Sequence, residues 1–314
     1  MQREDFLWVE KYRPRKIAHC VLPNRLKEVF QQFVEQNNIP NLILSGGPGV
    51  GKTTVARAML EEINADYIVI NGSMNGNIDT LRNEILNFAS TVSFSGGRKY
   101  VILDEADYLN ANSTQPALRN FMEEFSKNCG FILTCNFKNR IIEPLHSRCS
   151  VVEFKLESGD EKAEMAGLFF KRVCGILKEE NVEFDKQTVA ELVSRHIPDW
   201  RRTLNELQRY AATGKIDSGI LRNLNDESVK TLVGFLKNKK WEEMRKWVGE
   251  NSDQDPISLM RKIYDQAHVY FKPNSVPQVV LHIAKYQYQH AFAADAEINL
   301  VALLTEIMVD GEFK

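Results

Sequence analysis

A glycine-rich segment, GGPGVGKTT at residues 46–54, has the composition and spacing of a loop that binds phosphate groups. Its glycines let the backbone wrap an anion, so that several N–H groups and the start of the following helix face one ligand. In this pattern Lys52 reaches the β- and γ-phosphates, and the hydroxyl of Thr53 binds Mg²⁺. An apolar run precedes the segment and a helical pattern follows it. That context disfavours a chance glycine turn, and we expect ATP with Mg²⁺ here.

Two further polar groups stand at the ends of apolar runs. In VILDEAD, residues 101–107, Asp104 is expected to hold Mg²⁺ through water and Glu105 to polarise an attacking water. The alternative, an acidic strand end exposed to solvent, is less favoured because the phosphate loop lies one strand–helix unit upstream. Asn136 ends the next run and could bond the γ-phosphate or the attacking water, or could simply begin a loop.

Two arginines lack an obvious partner in the sequence. Arg201 and Arg202 stand at the start of a predicted helix, where a positive charge is unfavourable next to the helix dipole. The pair therefore indicates an anionic ligand, with a solvated charge pair as the alternative. Arg148 precedes a strand predicted to be buried at 151–154. The ATP site has every group it needs without Arg148, so the role of this arginine is open at this point.

An aromatic segment near the start, WVEKYRP at residues 8–14, is too apolar for a disordered terminus. Val9, Tyr12, Pro14 and the later Val21 could sandwich a flat base. Simple packing under the core explains the segment equally well.

Short apolar runs alternate with helical patterns in the first half of the chain. This alternation predicts an α/β fold, a doubly wound parallel sheet over residues 1–155, in which the strands are buried on both faces. The predicted strands are residues 41–45, 67–71, 99–104, 130–135 and 150–154.

Only helical patterns follow residue 156. Three amphipathic helices, two of them with caps predicted at Asp185 and Asp199, indicate a small helical domain over residues 156–223. Residues 224–314 predict a third, all-helical domain.

Bulk composition narrows the class of protein. The chain has 314 residues and a net charge of −2, so that it is unlike proteins that coat nucleic acid, although a local basic surface stays possible. Five cysteines without a CxxC pair argue against zinc sites and disulfides, and favour a reducing cytoplasm. We see no apolar run long enough for a membrane span and no signal-peptide pattern at the N-terminus.

These motifs, in this order, resemble the clamp-loader branch of the AAA+ ATPases. The resemblance runs from residue 8 to residue 210; the shared run looks like replication factor C small subunits, and the chain as a whole is most like the clamp-loader large subunits of T-even-type bacteriophages. Two segments, HCVLPNR at 19–25 and QYQHAFAADAEINLVALL at 287–304, are similar to clamp-loader large subunits of T-even-type bacteriophages. The shared run comprises WVEKYRP, GGPGVGKTT, NGS…ID…LRNEI, SGGRKYVILDEADYL, QPALRNFMEE, CN…IIEPLHSRC and PDWRRTLNELQ.

The resemblance implies a P-loop AAA+ domain, a three-helix lid and an oligomerising collar. It makes Asn136 sensor 1 and Arg201 sensor 2, which act in catalysis with Lys52 and Glu105. It also makes Arg148 an arginine finger that reaches the γ-phosphate of a neighbouring subunit, with a local ion pair to a carboxylate such as that of Glu143 as the alternative. The implied ATP contacts are Val9, Glu10, Lys11, Tyr12, Val21, Gly49, Val50, Gly51, Lys52, Thr53, Thr54 and Arg201, with Thr53 and Asp104 as Mg²⁺ ligands.

The resemblance also implies partners. Four copies of the chain would join one different, smaller subunit, open a ring-shaped sliding clamp on ATP binding, grip primer-template DNA, and release the closed clamp on hydrolysis. Asn77, Ile78 and Arg82 would meet DNA phosphates, residues 89–94 the clamp, and Gln115 with Arg119 would relay DNA contact to the ATP site. The expected location is the cytoplasm, that of a bacterial host if a phage encodes the chain.

Three competing interpretations differ in what they require. A DEAD-box RNA helicase, suggested by the letters at 104–107, needs a second α/β domain and a Ser-Ala-Thr motif that this sequence lacks. A non-hydrolysing scaffold subunit would lose the phosphate-loop lysine or the catalytic acid. Another AAA+ DNA-processing motor is disfavoured by the SRC motif and by the absence of an appended DNA-reading domain.

Overall fold

A computed structural model describes residues 6–73, 78–93, 96–212, 214–217, 220, 226–251, 255–290 and 292–314, with backbone alone for residues 78–80 and 226–228. The chain divides into two compact units, Met1–Ile220 and Leu221–Lys314. The finer boundary expected at residue 155 stays a prediction.

The first unit is built on a parallel five-stranded sheet, as predicted. Its strand order is β2-β3-β4-β1-β5, so that each neighbouring pair needs a crossover connection. The strands are β1 (Leu42–Gly46), β2 (Tyr67–Asn71), β3 (Lys99–Asp104), β4 (Cys129–Cys135) and β5 (Ser150–Phe154).

Burial differs between the centre and the edges of this sheet. β4 is buried at every position, whereas β2 and β5 stand at the two edges. Val69 and Val151 are consequently 36% and 40% exposed. The prediction of a fully buried strand at 151–154 was therefore wrong, because an apolar run does not reveal whether a strand has neighbours on both sides.

Helices cover both faces of the sheet. Val55 and Met59 of one helix pack on one face, and Leu118 and Phe121 of another pack on the opposite face. The helices of this part are α1 (Trp8–Lys11), α2 (Asn24–Glu35), α3 (Lys52–Glu62), α4 (Ile78–Ala89), α5 (Thr114–Glu124) and α6 (Glu143–His146). Short 3₁₀ turns occupy Ile17–His19, Ala106–Tyr108 and Lys138–Arg140.

Three longer helices follow the sheet: α7 (Gly159–Glu179), α8 (Lys186–His196) and α9 (Trp200–Ala211). Side-chain oxygens of Ser158, Asp185 and Asp199 cap their N-termini, each accepting a hydrogen bond from a backbone N–H three residues later. A small parallel pair, β6 (Glu183–Phe184) and β7 (Lys215–Ile216), lies beside them. The sequence prediction of helices alone missed this pair because two-residue strands are too short to show alternation.

The second unit is helical. Its helices are α10 (Asp226–Lys237), α11 (Trp241–Glu250), α12 (Pro256–Asp265), α13 (Ala267–Tyr270), α14 (Val276–His290) and α15 (Ala296–Asp310). Met244, Ile263, Phe271 and Leu303 are fully buried in its core. Among the residues described, none of the helices in either unit combines the length and apolar character of a membrane span.

Candidate nucleotide-binding site

The glycine-rich loop connects the end of β1 to the start of α3. Gly49 and Gly51 have φ angles of +70° and +97°, in the left-handed region that side chains disfavour. A Cβ atom on Gly49 would lie 1.8 Å from Oδ1 of Asp199. The loop can therefore adopt this path, close to the start of α9, only with glycine at position 49.

Lys52 is buried at the first position of α3, and its ammonium group lies over the loop. Its Nζ atom donates hydrogen bonds to the carbonyl oxygens of Gly46 at 2.8 Å and Gly47 at 2.7 Å, and to Oδ1 of Asn136 at 2.9 Å. Burial lowers the pKa of Lys52. An anionic ligand beside this ammonium would favour its charged form, as a triphosphate would.

Oxygen atoms suited to Mg²⁺ lie beside the loop. The hydroxyl of Thr53 donates to Oδ1 of Asp104 at 2.7 Å, and the hydroxyl of Thr134 donates to the same oxygen. Hydroxyl and carboxylate oxygens are the ligands that Mg²⁺ takes in phosphate sites, where it keeps several waters. The residues present therefore fit the metal.

The ends of β3 and β4 hold the two groups expected to act on water. Glu105 has a φ angle of +55°, and its backbone N–H donates to the hydroxyl of Thr134 at 3.2 Å. Oδ2 of Asp107 accepts from the backbone N–H groups of Asn136 and Phe137 at 3.2 and 3.1 Å. Sequence reasoning missed Asp107, although it closes the same VILDEAD segment; it positions Asn136 beside Lys52.

An open cleft with an empty volume of about 800 Å³, including space open to solvent, extends from the loop toward the N-terminal segment. Ten of the twelve expected ATP contacts line it; Glu10 and Lys11 do not. Arg13 bonds Glu10, and the Nζ atom of Lys11 donates to Glu180 at 2.8 Å. The lining residues are Val9, Tyr12, Arg13, Pro14, Cys20, Val21, Leu22, Gly49, Val50, Gly51, Lys52, Thr53, Thr54, Val55, Phe169, Arg172, Trp200, Arg201 and Leu204.

The helical part of this unit contributes one wall of the cleft. Arg201 lines the cleft at the start of α9, and the backbone N–H of Trp200 donates to the carbonyl of Gly49 at 3.2 Å. The rings of Phe169 and Trp200 pack with their centroids 4.4 Å apart. Phe169, Arg172 and Trp200 were missed from the sequence, because an aromatic or basic residue on an amphipathic helix gives no local sign of the cleft it faces.

Comparison with known proteins matches this site to a family. The model of the AAA family, ATPases associated with various cellular activities, matches residues 42–156. The model of the sliding-clamp-loader large subunit, AAA+ ATPase lid domain, matches residues 161–222. The sliding-clamp-loader large subunit of Enterobacteria phage T4 is 33% identical over 100% of this chain and 99% of its own length. The chain belongs to the AAA+ clamp-loader family.

Other clamp-loader proteins agree with that assignment. The large subunit of Escherichia phage RB69 is 35% identical over 99% of this chain and 98% of its own length. A replication factor C small subunit from Sulfurisphaera tokodaii is 32% identical over 98% of this chain and 97% of its own length. A Thermotoga maritima RuvB Holliday junction branch migration motor matches with a TM-score of 0.53 over 76% of this chain and 85% of its own, at 16% identity, which shows the shared fold alone. As members of the AAA ATPase family, clamp-loader chains of this type bind and hydrolyse nucleotide.

Arg148 of the clamp-loader SRC motif is not among the residues that line the cleft of its own chain. Its Nε and Nη2 atoms donate to Oε1 of Glu123 on α5, and Nη1 donates to the carbonyl of Pro144 at 2.9 Å and the hydroxyl of Ser147 at 3.1 Å. The carboxylate that pairs with Arg148 is therefore that of Glu123, and not that of Glu143, the example given for the alternative of a local ion pair. The side chain remains 31% exposed.

The residues expected to relay DNA contact lie on α5. Gln115 is buried; its Nε2 atom donates to the carbonyls of Leu109 and Arg140, and its Oε1 accepts from the N–H of Ile142. It thus joins the segments that follow β3 and β4. Arg119 is exposed on this helix, and its Nε atom lies 3.9 Å from Oε1 of Glu123.

The expected DNA and clamp contacts are only partly described. Asn77 lies outside the described residues, and Ile78 begins α4 with its side chain undescribed. Arg82 is exposed on α4. In the expected clamp-contacting segment 89–94, Val92 is 88% exposed, and Phe94 lies outside the described residues. Their roles stay predictions.

Proposed function

We propose that this chain is the ATPase subunit of a DNA sliding-clamp loader. ATP binding shapes an assembly of these subunits so that it opens the ring-shaped clamp and grips primer-template DNA. ATP hydrolysis then releases the closed clamp on DNA. The full-length similarity to sliding-clamp-loader large subunits supports this proposal, and it disfavours another type of AAA+ motor.

One observation carries the proposal of shared sites. Lys52, Asn136 and Arg201 face or border the cleft of their own chain, whereas Arg148 is held by Glu123 outside that cleft. A partly exposed arginine that does not line the cleft of its own chain is suited to a phosphate on a neighbouring molecule. ATP sites of this kind lie between subunits.

Each side chain of the cleft has a distinct role in hydrolysis. The loop N–H groups and Lys52 hold the β- and γ-phosphates, while Val9, Tyr12 and Val21 pack on the base. Glu105 orients and polarises the attacking water, and Asn136, positioned by Asp107, holds that water or the γ-phosphate. Thr53 and Asp104 would hold Mg²⁺, which supplies charge neutralisation when bound.

Two arginines complete the site from outside the sheet. Arg201 approaches the phosphates from the helical wall of the same chain, and Arg148 approaches those of the adjacent subunit. Both stabilise charge that develops on the transferred phosphoryl group. The scaffold alternative fits less well, because a chain that does not hydrolyse ATP has no need to retain Lys52, Glu105 and Arg148 together.

The proposed assembly has four copies of this chain and one different, smaller subunit. The start of α4, with Asn77, Ile78 and Arg82, tracks the DNA backbone without reading its sequence, which is compatible with a net charge of −2. Residues 89–94 contact the clamp, and Gln115 with Arg119 links DNA contact to the ATP site.

Steady-state ATP hydrolysis tests the proposal directly. The purified chain is assayed alone, and then with the small subunit, the sliding clamp and primer-template DNA from the same source. A low basal rate that rises sharply when all components are present is the expected result. A high rate from the isolated chain, unchanged by DNA and clamp, would contradict shared sites and point to another AAA+ motor.

A further inference from the structure

The segment before the sheet, residues 6–22, forms a strap along the cleft; it packs Ile17, Cys20 and Leu22 into the core with α2 and α3, and hydrogen bonds tie it to the helices of the lid. The backbone N–H of Trp8 donates to Gln208 of α9 at 3.0 Å. Lys11 and Tyr12 both donate to Glu180, which follows α7, at 2.8 and 2.7 Å. The strap is also tied to α3, where Glu62 accepts from the N–H of Ile17.

Arg172 of α7, which lines the cleft, makes two further ties to the strap. Its Nη2 atom donates to the carbonyl of Tyr12 at 2.5 Å, and its Nη1 atom donates to the carbonyl of His19 at 3.1 Å. These two carbonyls flank residues 13–18, which run into the 3₁₀ turn at Ile17–His19. One guanidinium therefore closes that turn and fixes it against the lid.

The setting of Arg172 makes these two bonds consequential. The Arg172 side chain is half-buried, and this burial lowers the pKa of the guanidinium. Both of its acceptors are neutral carbonyls of the strap, and they fix a backbone position. The side chain also belongs to the lining of the cleft, next to Tyr12 and Val21 of the strap.

The same helix supplies the apolar floor beneath the strap. Phe169 lies one turn before Arg172 on α7, packs on Trp200 and lines the cleft. Val9, Tyr12 and Val21 of the strap line the same cleft. Arg172 hydrogen-bonds the strap to the helix that carries Phe169, as Lys11 and Tyr12 do through Glu180 at the end of that helix.

We propose that Arg172 is a positioning residue for the nucleotide base: it holds the strap at the spacing from α7 that a purine fills. The inference rests on the proposed function of the cleft as an ATP site. Arg172 does not bind the phosphates in this proposal. It acts through Tyr12 and His19, so its removal weakens recognition of the base and leaves the phosphate loop intact.

Binding calorimetry on the full chain separates these two parts of the ligand. ATP reports base and phosphate contacts together, and inorganic tripolyphosphate reports the phosphate loop alone. We expect Arg172→Gln to weaken ATP binding about tenfold, as loss of charge-assisted hydrogen bonds would. Binding of tripolyphosphate should change by less than about twofold, because the loop makes no use of Arg172.

Two further variants sharpen the measurement. Arg172→Lys keeps the charge but has no planar fork to span two carbonyls. Its ATP affinity should therefore lie between that of Arg172→Gln and that of the unmodified chain. Lys171→Gln removes a charge from the exposed neighbouring position on α7 and should leave both affinities unchanged. The ratio of ATP to GTP affinity should also fall toward unity in Arg172→Gln, because a loose strap cannot select one base.

The outcomes are distinguishable. Equal losses for ATP and tripolyphosphate would mean that Arg172 only supports the fold, and would overturn the inference. Unchanged ATP affinity in Arg172→Gln would overturn it as well. If the unmodified chain binds tripolyphosphate as tightly as ATP, the base pocket of the proposed function fails, and the inference fails with it.

Discussion

The first unit has an arginine at the start of α9 and another in the SRC segment before β5. The two side chains differ in whether they line the cleft of their own chain. Arg201 lines the cleft that contains the glycine-rich loop, and the N–H of its neighbour Trp200 bonds that loop directly. Arg148 is fastened to Glu123 of α5, and its own cleft does not include it.

The difference teaches that an arginine near a motif does not reveal which site it serves. Both residues stand at helix or strand boundaries, and both have a basic or polar neighbour in sequence. Only the packing of α9 against the loop gives Arg201 its place in the cleft. Hydrogen bonds to Glu123, Pro144 and Ser147 hold the fork of Arg148 outside its own cleft.

The largest expected effect is the loss of Arg148. In the assembled complex, Arg148→Ala should lower ATP hydrolysis by about 10³-fold or more, the magnitude of an arginine finger. ATP binding by the isolated chain should be unchanged, because Arg148 does not line the cleft. Phosphate release and equilibrium binding measure the two quantities. Full hydrolysis by the variant complex would show that Arg148 does not act as an arginine finger.

A mixing experiment tests the same contrast in trans. Complexes made only from Arg148→Ala chains or only from Lys52→Ala chains should be inactive. Mixed complexes contain some interfaces at which an intact loop meets an intact Arg148, and these should regain hydrolysis. An absence of recovery, with assembly verified by size, would place Arg148 in the site of its own chain.

Glu105→Gln should lower hydrolysis by about 10²- to 10⁴-fold, since it removes a general base without changing size. ATP should still bind, and the complex should therefore stay on the clamp and primer-template DNA. Clamp release is followed by fluorescence on labelled DNA, with Glu35→Gln, at the exposed end of α2, as a matched control. Rapid clamp release by the Glu105 variant would argue against its role as base.

Arg201→Ala should act on the isolated chain, unlike Arg148→Ala. We expect ATP affinity to fall about tenfold while ADP affinity changes less, because a charge-assisted bond to the terminal phosphate is lost. Arg202→Ala is the control, since Arg202 is exposed and pairs with Glu206 at 3.2 Å. Similar losses in both variants would show a general effect on α9 rather than a contact with nucleotide.

Asp107 holds the segment that carries Asn136 beside Lys52, where β3 and β4 end. Asp107→Ala removes the acceptor of two backbone N–H groups and should cost about 1–3 kcal/mol of unfolding free energy, measured in urea. Asp107→Asn keeps an acceptor and should cost less. If both variants are as stable as the unmodified chain, these bonds do not hold the segment that carries Asn136.

The smallest expected effect is that of Glu123→Gln. Its contact with Arg148 is exposed to solvent, where ion pairs are weak and screened by salt, so hydrolysis by the complex should change less than about threefold. Activity is compared with that of Glu124→Gln, the next position on α5. A loss as large as that of Arg148→Ala would mean that Glu123 is itself part of the neighbouring site.

The sequence determined most of the phosphate side of the site. The glycine-rich loop with Lys52 and Thr53 follows β1, and Asp104 is the last residue of β3. Parallel strands bring their carboxyl ends to one edge of the sheet, so these groups lie close together. The strand–loop–helix pattern is local, so that a few consecutive residues predict it. The five strands were accordingly predicted to within one residue at each end.

Tertiary structure alone decided which surfaces meet. The exposure of Val151, the partner of Arg148, the tie made by Arg172 and the role of Asp107 all depend on residues far apart in sequence. Amphipathic periodicity shows that a helix has a buried face, but it cannot name the element on the other side. Contacts between the strap, the loop and the lid helices arise only when the chain is folded, because they join groups far apart in sequence, and the local pattern around each group is that of any packed segment.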